Sequence, residues 1–385
     1  MAISFHHSTQ LPHLIVSDLD GTLLAPDHNV TKRSINALHN AQSYHTTTSS
    51  SSTPIQIMIA SGRSPRSIQK VIDQFHGIMI PDAVLCCNGA LTYNPLTKAI
   101  SFPQFIPLDQ AVAMVHQLTT EIQNTFVPKR HIPEKKRHAI EHHESLSNDA
   151  PVQGRPGFAC EVLWFSRING SNNISYGTDT FFVCDRTWEA ERKHSIYYDY
   201  QVVDDMQAFL RSLQEPLTGS DHDQSGKQTP RGGIIKLLAL DRNRVASEVY
   251  ESMPASLRSN ELVGTGDAPQ VTLTYSGPYF LEVSGPGVNK GLGLKQYCEG
   301  HGIARQDVVA FGDLLNDAEM LQYAGLGLCM GNGHAEMKKL ADRVIGTNAE
   351  DGLAKEIESW FPTIMDLQVD CHIERNSIIL SVDCK

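Results

Sequence analysis

The chain predicts an α/β fold, a core built on a parallel sheet with a second α+β domain inserted into it. Three observations predict this. Short apolar runs ending in Gly, Ser or acid recur at Leu14–Ser17, Pro54–Ala60, Ala83–Cys87 and Val308–Phe311, and helical patterns follow most of them. Between about Leu91 and Glu282 that rhythm breaks into strand-like and helix-like pieces in a different order. The length, 385 residues, exceeds one common domain. The division expected is a first core part over 1–90, an inserted domain over 91–282, a second core part over 283–362 and an extension over 363–385.

Composition narrows the class. Hydrophobic residues make up 41% of the chain, enough for a sizeable core. A net charge of −11 argues against a general nucleic-acid binder. No apolar run approaches the roughly 20 residues a membrane helix needs. The opening Met1-Ala2-Ile3-Ser4-Phe5 lacks a basic segment followed by a long apolar one, so no secretory signal is expected. Eight scattered cysteines without a Cys-x-x-Cys pair read as reduced, mostly buried thiols. Together these point to a soluble cytoplasmic enzyme that meets neither nucleic acid nor membrane. Monomer and homodimer both stay open.

The chain is organised around Leu14-Ile15-Val16-Ser17-Asp18-Leu19-Asp20-Gly21-Thr22. A buried strand ends in two carboxylates one residue apart, and Gly21 permits a sharp exit from the sheet. Past that turn, Asp18 and Asp20 can share the pocket at the strand's carboxyl end, where open parallel sheets bind ligands. Two close carboxylates repel unless one holds a proton or a cation lies between them, and Mg2+ is a hard ion that suits such oxygens. An acidic turn or half a calcium loop is the bland alternative. An EF-hand, however, places its Gly sixth and needs more oxygen ligands.

This pattern resembles the first motif of the haloacid dehalogenase-like (HAD) phosphatases. The resemblance implies that Asp18 attacks phosphorus, and that Asp20 protonates the leaving group and later activates water. Further along, a helix is expected over Thr31–Ala41, capped by Thr31. The Ser/Thr tract over Thr46–Thr53 has nothing apolar to bury and reads as a disordered insertion. The strand ending at Ala60 is followed by Ser61-Gly62-Arg63 and a helix from Pro65, an arrangement that offers a hydroxyl and free N–H groups to phosphate. It resembles the second HAD motif, with Ser61 as donor. Asn88 in Cys87-Asn88-Gly89-Ala90 reads equally as a turn residue or as a site residue. The type IIB (Cof-like) members carry an Asn-Gly-Ala segment here, just before an inserted cap of the C2B type.

Within the inserted stretch, Leu108–Ile122 and Asn243–Ser252 are expected helices. Ala159–Phe165 and Gly233–Leu240 are expected strands, and Thr272–Tyr275 with Tyr279–Val283 a closing hairpin. Residues 128–151 and 215–232 read as flexible insertions. The first is basic, and its His138 and His142 have the spacing of helical metal ligands, with His143 adjacent, but no ordered scaffold is evident around them. A solvated charge run or a surface that draws in anions are the other readings.

Lys290, in Gly287-Val288-Asn289-Lys290-Gly291 at a helix start, reads as a surface lysine or as one that neutralises phosphate and nucleophile. Asn-Lys-Gly resembles the third motif in its Cof-like form. Gly312-Asp313-Leu314-Leu315-Asn316-Asp317 resembles the fourth. There Asp313 completes a Mg2+ shell with Asp18 and the main-chain carbonyl of Asp20. Asn316 and Asp317 orient the phosphoryl group, the metal's water or Lys290. The resemblance thus places Mg2+ on Asp18, Asp20, Asp313 and Asp317. It places phosphate on Leu19, Gly21, Thr22, Ser61, Gly62, Arg63, Asn88 and Asn316. Gly331-Asn332-Gly333 does not match a dinucleotide fingerprint. Alternating Leu367, Val369, Cys371 and Ile373 suggest a hairpin without a functional account. The function implied is Mg2+-dependent hydrolysis of small phosphomonoesters, sugar phosphates foremost, through an aspartyl-phosphate. A phosphomannomutase-like phosphosugar mutase and a non-catalytic phosphate-binding regulator are the rivals.

Overall fold

In the computed structural model, residues 11–47, 52–124, 156–168, 175–193, 196, 198–213, 220–222, 228–230, 232–253, 271–275, 279–361, 368–374 and 377–383 are described. Two sheets organise them. The first has eight strands, in the order Arg343–Val344, Leu326–Cys329, Val308–Gly312, Leu14–Asp18, Gln56–Ala60, Ala83–Cys86, Leu91–Tyr93 and Ile100–Ser101. The first six pair in parallel and the last two antiparallel. Residues adjacent in this sheet therefore come from opposite ends of the chain. Ser17 pairs with Phe311 on one side and Ile59 on the other.

The central strands are apolar throughout because both faces are covered. Ile15, Ile57, Ile59, Val84, Val309 and Phe311 face one layer of helices, Lys32–Ser43, Pro65–Asp73 and Gly352–Trp360, which add Leu38, Ile68 and Ile357. Leu14, Val16, Met58, Leu85, Val308 and Ala310 face the other layer, Lys290–His301, Ala318–Tyr323 and Ala335–Leu340, which add Leu294, Met320 and Met337. Helix boundaries follow local signals. The Thr31 hydroxyl accepts from the Ser34 N–H at the start of the first helix. Gly302, at φ 66°, ends the Lys290–His301 helix in the left-handed conformation.

The second sheet has six strands, in the order Tyr200–Val203, Ser175–Asp185, Gly157–Ile168, Gly232–Leu240, Leu281–Ser284 and Thr272–Thr274. All its pairings are antiparallel except the one to Tyr200–Val203. One face packs Cys160, Val162, Leu237, Leu281 and Val283 against Met114, Val115 and Leu118 of the helix Leu108–Asn124. On the opposite face Ala159, Phe182 and Leu238 cluster with Trp188 of the helix Arg186–Arg192.

Several expectations change. Leu91–Tyr93 and Ile100–Ser101 extend the first sheet, and Val283 and Ser284 belong to the second, so the crossings lie past Ser101 and after Ser284, not at 91 and 283. Periodicity marks these residues as strands but does not say which sheet receives them. The Ser/Thr tract is partly paired: His45–Thr47 and Ser52–Pro54 form a short antiparallel ribbon, with 48–51 outside the described residues. Within the second insertion, Ser220–His222 pairs with Gln228–Pro230. Residues 128–151, with His138, His142 and His143, lie outside the described residues. The tail pairs as expected, Gln368–Glu374 with Ser377–Asp383. Six described cysteines are free and buried. No helix among the described residues is long and apolar enough to cross a membrane.

Phe311 is fully buried in the central strand. Phe311→Ala should cost about 3–5 kcal/mol by denaturant titration, because the covered sheet cannot collapse around the missing ring.

Candidate active site

The site forms where the chain leaves the carboxyl ends of the central strands. After Asp18 the backbone reverses: Leu23 N–H donates to the Asp18 carbonyl, and Leu24 N–H to the Leu19 carbonyl. Gly21 sits at φ 97°, and a Cβ there would come within 2.3 Å of Asp313 Oδ2. Glycine is required on both counts, by the backbone angle and by the approach of the second carboxylate.

Asp18, Asp313 and Asp317 converge so that their oxygens lie within 4.8 Å of one another, all buried. Between them stands Lys290, with no solvent exposure. Its ammonium donates to Asp18 Oδ1 at 2.5 Å and to Asp317 Oδ1 at 2.6 Å. Asp317 Oδ2 accepts from the N–H groups of Asp313 and Leu314 at 2.9 and 3.1 Å. Thr22 Oγ1 donates to Asp313 Oδ1 at 3.1 Å. Asn289 caps the lysine's helix by accepting from the Leu292 N–H at 2.7 Å, which aims the first-turn lysine at the cluster.

Burial shifts these groups. Asp18 is raised well above the ordinary aspartate value, first by desolvation and then by Asp317, with Lys290 pulling the other way. Asp313 is raised to about 6 by burial and Asp317. Burial alone would favour neutral Lys290, but Asp18 and Asp317 outweigh it and hold the ammonium charged. Asp18 Oδ2 has no hydrogen-bond partner. Crowded carboxylates, one with a buried orphan oxygen, suit a hard divalent cation. The residues present therefore fit Mg2+.

The other expected residues sort by position. Asp18, Asp20, Ser61, Gly62, Arg63, Asp313 and Asn316 line one cavity of about 470 Å3. The Asp20 carboxylate stands outside the acidic cluster and pairs with Arg63 through both oxygens, at 2.6 and 3.0 Å. A metal role for Asp20 would thus fall to its main-chain carbonyl. Leu19 is buried in the core, leaving only its backbone for phosphate. Thr22 reaches Asp313 and does not line the cavity. Asn88, at φ 56°, lies behind the wall, lining a smaller neighbouring cavity. It donates to Glu282 Oε2 at 2.6 Å and accepts from Asn316 at 3.3 Å. Thr22 and Asn88 were both expected on phosphate, and in this structure their side chains lie on protein neighbours. The hydroxyl and the amide are spent on holding neighbours.

Among the cavity residues that the sequence does not single out are Glu161, Lys236 and Glu282. Each interrupts an apolar run with a charge, as in Cys160-Glu161-Val162-Leu163 and Ile235-Lys236-Leu237, and that interruption is the signal that could have found them. Lys236 donates to the Gly62 carbonyl at 2.7 Å and pairs with Glu282 at 2.9 Å. Arg66 reaches across to Thr180 Oγ1 at 3.1 Å and the Asp199 carbonyl at 3.2 Å. The second sheet therefore covers the catalytic end of the first.

The model of the haloacid dehalogenase-like hydrolase family matches residues 15–147 and 171–357. The 5-amino-6-(5-phospho-D-ribitylamino)uracil phosphatase YitU of Bacillus subtilis is 41% identical over 83 residues, 22% of this chain and 31% of that protein. The matching stretch thus covers about a third of that relative. Phosphatase YwpJ of the same organism is 24% identical over 341 residues, 89% of this chain and 97% of the relative. The solved structure of the HAD subclass IIB sugar phosphatase BT4131 superposes with a TM-score of 0.55 at 19% identity, covering 90% of this chain and 98% of that one.

Two outcomes are expected. Gly21→Ala should lower stability by about 1–3 kcal/mol in a denaturation curve, from the positive φ alone. Glu161, pushed up to about 7 by burial, holds its proton in the native state between about pH 4.5 and 7, where the unfolded chain is already ionised, and is a carboxylate above that range. Stability should fall as pH rises between those values. Glu161→Gln should match the wild type near pH 4 and exceed it by on the order of 3 kcal/mol by pH 8, read from paired thermal melts.

Proposed function

The chain belongs to the haloacid dehalogenase-like hydrolases, and from that premise we propose that it hydrolyses small phosphomonoesters, sugar phosphates foremost, with Mg2+ as its cofactor and the cytoplasm as its compartment. One observation carries the reading. Asp18, which lines the covered cavity, has one oxygen clamped by the buried Lys290 and its other oxygen buried without a hydrogen-bond partner. A structural ion pair does not need the second oxygen unsatisfied.

Phosphoryl transfer asks a protein chiefly for in-line positioning and charge neutralisation. Asp18 Oδ2 is the atom free to bond phosphorus, giving an aspartyl-phosphate as the ester oxygen departs. Lys290 fixes the carboxylate and offsets charge on the phosphoryl oxygens. Ser61 and the N–H groups of the Leu19–Gly21 turn receive those oxygens. Bound Mg2+ would be held by Asp18, Asp313 and the Asp20 carbonyl, with Asp317 behind them, and would neutralise carboxylate and phosphate charge. Asp20 gives a proton to the leaving alkoxide and later takes one from water. In the structure Arg63 occupies both Asp20 oxygens. An entering phosphate dianion competes for that guanidinium and releases Asp20 for proton transfer.

The names of the relatives support the reaction class, since YitU and YwpJ are both phosphatases. The cover supplied by the second domain suits a reaction that must exclude bulk water.

Asp18→Asn should lose Mg2+-dependent hydrolysis of p-nitrophenyl phosphate by on the order of 10⁴-fold or more, with an unchanged circular dichroism spectrum. Retained turnover would remove Asp18 as nucleophile. Hexose phosphate isomerised without release of free phosphate would favour the mutase. Phosphate binding without turnover across a panel of phosphoesters would favour a regulator.

A further inference from the structure

We propose that Glu161 is a specificity-determining residue that reads the leaving group, favouring phosphomonoesters whose organic part presents hydroxyl or amino donors and disfavouring those that present a second anion there. The inference rests on the phosphomonoester reading and deepens it.

Glu161 projects from the middle of the Gly157–Ile168 strand, on the sheet face opposite the one packed against the Leu108–Asn124 helix. It lines the cavity that holds Asp18 and Asp313, yet it is only 4% exposed. Its Oε2 has no hydrogen-bond partner. An acceptor buried without a donor is costly, and folded chains keep few of them without a reason.

The surrounding cations do not explain this acid as a structural ion pair. Lys236 is its cross-strand neighbour, but its ammonium is engaged by Glu282 and the Gly62 carbonyl. Arg63 pairs with Asp20. Arg192 lies over the Tyr279 ring at 4.3 Å. The hydroxyls of Ser64 and Tyr198 and the charges of Lys236 and Arg66 offset burial only in part, and the carboxyl is still pushed up to about 7. Glu161 and Glu282, on the strands either side of the Lys236 strand, thus set two carboxyls beside one ammonium on this part of the wall.

The functional consequence follows from pairing. A leaving group that donates to Oε2 satisfies the orphan acceptor, whereas a carboxylate or second phosphate meets like charge. Sites built to hydrogen-bond a substrate hydroxyl reject analogues that lack it more strongly than apolar pockets do, because the protein group is then left unpaired.

Sorbitol 6-phosphate and 6-phosphogluconate test this directly, since they differ only at the carbon far from phosphate, hydroxymethyl in one and carboxylate in the other. At pH 8.5, above the value to which burial lifts Glu161, the full-length protein with Mg2+ should show at least a tenfold higher kcat/KM for sorbitol 6-phosphate. In Glu161→Gln that ratio should shrink at least tenfold, mainly through a lower KM for 6-phosphogluconate, because an amide can donate to the carboxylate. Glu161→Asp, which keeps the acid, should retain the order of preference. The wild-type comparison stands even if a variant does not fold. Equal use of the two esters by the wild type, or an unchanged ratio in a folded Glu161→Gln, overturns the role of Glu161 alone. Absence of any turnover, p-nitrophenyl phosphate included, overturns the phosphomonoester reading and this inference with it.

Discussion

Lys290 is buried without solvent and pinned between two carboxylates, and the rest of the site is arranged around that fact. A lone ammonium could not remain charged there. It does so because Asp18 and Asp317 share it. Asp317 is in turn anchored by the N–H groups of Asp313 and Leu314. One ion-pair chain therefore ties the first strand, the helix that opens the second core part and the turn after Val308–Gly312. Removing any member would leave an uncompensated charge in the interior, the costly half of buried electrostatics. Holding three carboxylates close also raises Asp18 and Asp313, a tension that a divalent cation relieves.

A second polar chain joins the two sheets. Asn316 donates to Asn88, Asn88 donates to Glu282, Glu282 pairs with Lys236, and Lys236 donates to the Gly62 carbonyl. The second sheet is thereby registered on the Ser61-Gly62 turn by directional bonds, and an apolar contact alone would be freer to slide. The same chain explains why Asn88 adopts a left-handed conformation behind the wall. Its side chain must meet Glu282 and Asn316 together, and asparagine tolerates that backbone better than most residues.

Much of this was legible locally. The apolar run ending at Asp18, the glycine after Asp20, the Ser61-Gly62 turn and the acid after Gly312 each signal their geometry within a few residues. The helix over Lys32–Ser43 was marked by its Thr31 cap. Errors arose where the partner is distant. Leu91–Tyr93 looks the same whichever sheet receives it. Thr22 and Asn88 look free to reach phosphate until their side chains are seen to meet Asp313 and Glu282. Glu161 and Lys236 carry no short motif, only the oddity of a charge inside an apolar strand.

By itself, the sequence determined the strand ends, the order of the acidic and glycine-rich turns that follow them, and the change of rhythm in the stretch between. Those features depend on side-chain periodicity and turn chemistry, which act over a handful of residues. Only the tertiary structure decided that Asp18 and Asp313 meet, that Lys290 has no water, that Asp20 turns to Arg63 and that Glu161 faces the cavity. These depend on parallel pairing between strands nearly three hundred residues apart, as Leu14 pairs with Val308. They depend also on burial, which turns an ordinary surface lysine or glutamate into a group whose every partner matters.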